Sequence, residues 1–119
     1  MSMTTEFKPL VADISKKLRE FVKEIPDTYQ GFQGMARATH DDGALSKKHK
    51  ELMAMAIAIS ARCNGCLGFH AMACVRQGVT RAEFLEMLQV AIYMGGGPSM
   101  MTAAEALLAF EEYGGEKAA

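Results

Sequence analysis

Several features that define whole classes of protein are scarce in this chain. Charge imbalance is missing: 13 basic and 14 acidic residues leave a formal net charge of -1. No basic stripe or base-stacking aromatic motif is present, so nucleic acid is not expected as a partner. Long apolar runs are missing too. The longest, Leu52 to Ile59, is far short of the ~20 residues that span a bilayer, and no membrane association is expected. The N-terminal region carries Glu6, Lys8 and Asp13 and has no apolar signal core, which points to a cytoplasmic protein. Cysteine is limited to three residues, too few for a disulfide scaffold. In a reducing compartment, two thiols close in sequence are more often catalytic or metal-binding than structural. No alternating run is long enough for a strand, and no linker, repeat or low-complexity segment divides the chain. Residues 1–119 are therefore read as one domain.

What is present is helical periodicity almost throughout. From about Pro9 to Ile25, apolar residues Leu10, Ile14, Leu18, Phe21 and Val22 recur at three- and four-residue spacing. Pro26 ends that helix, and Asp27 is placed to cap a short one running to about Ala38. Ser46 is the expected N-cap of a helix from about Lys47 to Arg62, whose middle is apolar on every face. Such a helix is normally buried all round, in a core or between subunits. A further helix follows the cysteines to about Gln77, with Gly78 closing it and Gly65 expected to loosen its start. Thr80-Arg81-Ala82-Glu83 is a capping box for the next helix, with Phe84, Leu85, Leu88, Ala91 and Ile92 facing inward. Gly95-Gly96-Gly97 breaks the chain before a last helix that starts at Pro98 and ends near Gly114, leaving a frayed tail. The fold class is all-α.

Against this scaffold one cluster stands out. Cys63 and Cys66 are separated by Asn64-Gly65, His70 lies four positions beyond Cys66, and Glu51 precedes Cys63 by twelve. Thiols three positions apart can close a disulfide, and a histidine four residues on shares a helix face with the second sulfur. If the chain reverses near Arg62 and Cys63, Glu51 lies about 16 Å down one helix and His70 about 11 Å down the other, at ~1.5 Å per residue. A modest offset brings carboxylate and imidazole together and fixes the ring tautomer. A thiolate beside an imidazole at a helix start is the reactive species in redox chemistry. Two other uses are open: buried thiols packed as small apolar groups, or a mixed zinc site of Cys63, Cys66, His70 and Glu51. No second CxxC exists to complete an ordinary structural zinc site. His40 and His49 read as solvated and Cys74 as a packing residue. Position at a helix start favours Cys63 as the more reactive thiol, whereas proximity to His70 favours Cys66.

The pattern Glu51, an eleven-residue gap, then Cys63-x-x-Cys66-x-x-x-His70 resembles the active-site motif of the AhpD-like alkylhydroperoxidases of the carboxymuconolactone decarboxylase superfamily. Tyr93-Met94-Gly95-Gly96-Gly97-Pro98, with Ala103-Ala104, is similar to the superfamily's aromatic-Gly-Pro helix break. The match covers about residues 45–110. The resemblance implies an AhpD-like all-helical domain built around a helical hairpin carrying the CxxC, assembled as trimers or hexamers. It implies a cofactor-free and metal-free thiol peroxidase or disulfide reductase, with catalytic residues Glu51, Cys63, Cys66 and His70. Cys66 would attack a hydroperoxide substrate, Cys63 would resolve the sulfenic acid as a disulfide, and an external dithiol would restore the pair. The chain departs from well-studied members at Gly65, where they carry a further histidine. The alternatives are the decarboxylase branch's lactone chemistry, which does not need a CxxC, and a metal-stabilised structural oligomer.

Overall fold

The computed structural model describes residues 6–119, and every described element is helical: α1 (Phe7–Glu24), α2 (Pro26–His40), α3 (Lys47–Ala61), α4 (Asn64–Arg76), α5 (Arg81–Gly95) and α6 (Gly97–Glu112). The boundaries follow local chemistry. Ser46 Oγ accepts the His49 amide at 3.1 Å and starts α3. Thr80 and Glu83 form the reciprocal capping box that starts α5, with amide-to-side-chain distances of 2.9 and 3.1 Å. Gly96, at φ 75°, turns the chain between α5 and α6 in a left-handed conformation that a side chain would strain.

The hairpin of α3 and α4 is the centre of the structure, and α6 packs on α4, α5 and α3. Arg62 makes the reversal, sitting in the left-handed region at φ 55° as the C-cap of α3. The core lies between these helices: Met55 and Ile59 from α3, Leu67 and Ala71 from α4, Phe84 from α5, Phe110 from α6. The Phe84 and Phe110 rings stack with centroids 4.3 Å apart. Helix α1 lies over α4 and is anchored by the fully buried Phe7. Its first turn is capped from a distance, as Glu112 of α6 accepts the amides of Phe7 and Lys8 at 2.8 and 2.7 Å.

Several expectations are corrected. The second helix starts at Pro26, so Asp27 lies in its first turn rather than at its cap, and it runs unbroken through Gly31 and Gly34 to His40. Gly65 does not loosen α4, which is regular from Asn64. On α5 the buried set includes Met87, whereas Leu85 is exposed. Helix α3 is not buried all round in the single chain: Ile57 is 68% exposed and Met53 51%. The tail is tied down, since Arg81 donates to the Glu116 carbonyl at 3.0 Å and its amide to the Glu116 side chain at 3.1 Å. No described helix is long and apolar enough to cross a membrane.

Candidate active site

The site sits at and below the turn between α3 and α4. On α3 the buried positions are Glu51, Met55, Ala58 and Ile59, one face at i, i+4, i+7 and i+8. Glu51 thus occupies a core register and is only 8% exposed. A carboxylate held there needs a strong partner, and it has one. His70 Nδ1 lies 2.8 Å from Glu51 Oε1, closing the hairpin one α4 turn below Cys66. With Glu51 ionised, Nδ1 carries the hydrogen and donates it to the carboxylate. Nε2 is then left with its lone pair free to accept a proton. The imidazole is about one-third exposed, so solvent and small molecules can reach it.

Cys63 is the N-cap of α4 and Cys66 lies in its first turn, with Cα atoms 5.2 Å apart and the two sulfurs joined in a disulfide. Cys63 Sγ accepts the Cys66 amide at 3.2 Å. The sulfur therefore does the work of a capping oxygen, at the end of the helix where backbone N–H groups favour negative charge. Cys74, one turn past His70, is fully buried and remains a free thiol. Burial, and secondarily the charge of Glu51, pushes its pKa up to about 12. It is a packing residue with almost no thiolate at neutral pH.

Of the four residues expected in the site, Glu51 meets His70, and Cys63 meets Cys66, with His70 one turn along α4 from Cys66. His40 and His49 lie elsewhere and are exposed; His49 pairs only with Ser46, at 2.8 Å. Among the described residues no group of three or more His, Cys, Asp or Glu side chains is placed to hold a metal ion.

Sequence reasoning missed the role of α1. A Cβ on Gly65 would stand 2.7 Å from Ile14 Cδ1, and one on Gly68 would collide with Val11 Cγ2. The two glycines form a flat strip on α4 on which α1 lies, so any side chain at position 65 competes with Ile14 for space. The available signal was the pair of glycines three apart inside a helix, a spacing that puts both on one face and marks a close approach.

Comparison with known proteins identifies the family and the fold. The model of the carboxymuconolactone decarboxylase family matches residues 26–109. An uncharacterised protein of Cupriavidus necator is 36% identical over 109 residues, spanning 92% of this chain and 96% of the relative. Among solved structures, a carboxymuconolactone decarboxylase family protein of Legionella pneumophila, in its apo form, superposes with a TM-score of 0.89 at 52% identity. The match covers 90% of this chain and 96% of that one. A second, from Thermotoga maritima, gives a TM-score of 0.77 at 27% identity, over 86% and 87% of the two chains. A role in antioxidative response has been suggested for it.

Proposed function

Starting from the carboxymuconolactone decarboxylase family, to which this chain belongs, we propose that it is a thiol-dependent peroxidase or disulfide reductase of the AhpD-like kind. The observation that carries the reading is the Cys63–Cys66 disulfide at the head of the helix whose next turn holds the Glu51-bound His70. A pair of thiols already able to join, beside a base with one nitrogen tied and one free, is the equipment for two-electron chemistry.

In the reduced protein, His70 Nε2 takes the proton of Cys66, directly or through one water, and Glu51 holds the resulting imidazolium. The Cys66 thiolate attacks the distal oxygen of a hydroperoxide. The O–O bond breaks, the alkoxide takes a proton from His70 and leaves as the alcohol, and Cys66 becomes a sulfenic acid. Cys63 then attacks that sulfur; the S–S bond forms and water departs. The net change is two thiols and one hydroperoxide converted to one disulfide, one alcohol and one water. An external dithiol exchanges with the disulfide and returns both protons and electrons. Cys66 takes the attacking role because His70 lies one turn beyond it on the same helix, which leaves the N-cap Cys63 to resolve.

The chain also exposes apolar side chains that a second copy would cover, including Tyr93 at 82% and Met94 at 73%. The same reading therefore includes a homo-oligomer, which light scattering at micromolar concentration checks; a monomer there removes that part.

The functional test is thiol counting on reduced protein before and after one equivalent of an organic hydroperoxide. Wild type is expected to lose two thiols and Cys63→Ser to stall with a sulfenic acid on Cys66. Unchanged thiols in wild type would remove the peroxidase activity and leave disulfide exchange, and full turnover by Cys66→Ser would overturn the assignment.

A further inference from the structure

Between α1, α2 and the cysteine-bearing helix α4 lies an open cleft of about 500 Å3, within the usual size range of small-molecule sites. Its apolar walls are Leu18 of α1, Phe32 of α2 and Phe69 of α4; its polar groups include Ser15, Arg19 and Tyr29. Two of its lining residues are chain neighbours of residues at the site. Phe69 is the residue before His70 on α4, and Ser15 follows Ile14, whose side chain rests on Gly65 between the two cysteines. The opposite wall is not held by the core, because α2 has no buried residue and packs chiefly on α1.

The charge in this cleft has one sign. Arg19 makes no ion pair among the described residues, and its neighbour Glu20 is engaged by Lys17 at 2.8 Å. Lys16 and Lys23 stand three and four positions from Arg19 on the same helix face, so they add positive charge beside it. A guanidinium next to aromatic walls fits a planar anion carried on an apolar body, since it can hold a carboxylate through two parallel N–H···O bonds. Along α1, Arg19 lies about 7.5 Å beyond Ile14, at ~1.5 Å per residue.

We propose that this cleft binds an anionic amphiphile, an alkyl chain bearing a carboxylate, with the chain against Leu18, Phe32 and Phe69 and the carboxylate on Arg19. The further step, that such a molecule is the body of the hydroperoxide delivered to Cys66, rests on the peroxidase reading. Arg19 is then a specificity residue and takes no part in the bond changes at sulfur.

The experiment is calorimetric titration of the full chain with decanoate below its micelle concentration, with decanol and decylammonium as controls. It is repeated on Arg19→Gln and on Phe32→Ala, both changes at exposed positions. Decanoate is expected to bind wild type, to bind Arg19→Gln about tenfold more weakly, as loss of a charge-assisted contact implies, and to bind Phe32→Ala more weakly too. Decanol is expected to be indifferent to Arg19. No decanoate binding, equal binding by wild type and Arg19→Gln, or equal affinity for decanol and decanoate would overturn the proposal. Thiol loss with cumene hydroperoxide, a neutral substrate, separates the two readings. If it occurs equally in wild type and Arg19→Gln while decanoate fails to bind, the peroxidase stands and the cleft falls. If no thiol reacts while decanoate binds through Arg19, the cleft stands and the peroxidase falls.

Discussion

Replacing Glu51 tests the relay most directly, because the residue touches His70 and lies on the opposite side of that ring from the nitrogen that would act. Its Oε1 accepts from Nδ1 at 2.8 Å and the carboxylate is nearly buried. A hydrogen bond to a charged acceptor contributes about 1.5–3 kcal/mol net, and a neutral one about 0.5–1.5 kcal/mol. The one-third exposure of His70 argues for the lower end of both ranges. Glu51→Gln keeps an acceptor for Nδ1–H and removes only the charge, so it forfeits about 1 kcal/mol of support for the imidazolium. Glu51→Ala removes the acceptor as well and forfeits about 2 kcal/mol. At 1.4 kcal/mol per factor of ten, thiol oxidation by hydroperoxide should slow about fivefold in Glu51→Gln and about thirtyfold in Glu51→Ala. Stopped-flow thiol loss on pre-reduced, oxygen-free protein measures both rates, with circular dichroism confirming the helical content. The order wild type, Gln, Ala is the diagnostic result. Wild-type rates in both variants would refute the relay, as would equal large losses in Gln and Ala that track a lower Tm.

Three further outcomes follow from the geometry. Gly68→Ala gains ~1 kcal/mol of helix propensity but drives a methyl into the stiff side chain of Val11, with Phe7 Cβ 3.6 Å away. Overpacking of this kind costs about 1–3 kcal/mol, so the variant should be about 1 kcal/mol less stable in denaturant, while Gly65→Ala, which meets only the mobile end of Ile14, stays near wild type; the reverse order would discount the α1 contact. In reduced native protein at pH 8, alkylation should label two cysteines quickly and Cys74 only after unfolding, since burial lifts that thiol to about 12; mass spectrometry finding Cys74 labelled early would contradict its packing role. The Glu83 carboxyl is held below its ordinary value of 4.5 by the Thr80 amide first and by Lys48 second. Because the folded value is the lower one, its stabilisation is present above pH 4.5 and is lost as pH falls through the folded value. Glu83→Gln should therefore flatten the acid limb of the stability curve, and an unchanged limb measured by thermal melts would remove Glu83 from that account.

Some of this protein was legible because the causes are local. Ser46, the Thr80–Glu83 box and the glycine run at 95–97 act within a few residues, so each helix start or break they mark could be read directly. The reversal near Arg62 entered as a premise, and the left-handed conformation of that residue supplies it. The inward face of α5 was read less well, as the buried Met87 and the exposed Leu85 show. Which flank of an apolar stripe is buried depends on the crossing helix, and that partner is distant in sequence.

The sequence by itself determined the helices, the caps at Ser46 and Thr80, and a thiol–thiol–imidazole–carboxylate set whose spacing fits one hairpin. Those are properties of short-range periodicity and residue chemistry. Tertiary structure decided the rest. It put the Glu51 carboxylate in a core register against His70, laid α1 across Gly65 and Gly68, and used Glu112 to cap a helix at the far end of the chain. It also opened the cleft between α1, α2 and α4. Each of these is a close approach between residues separated along the chain, set by which surfaces pack and not by any local preference of the residues involved.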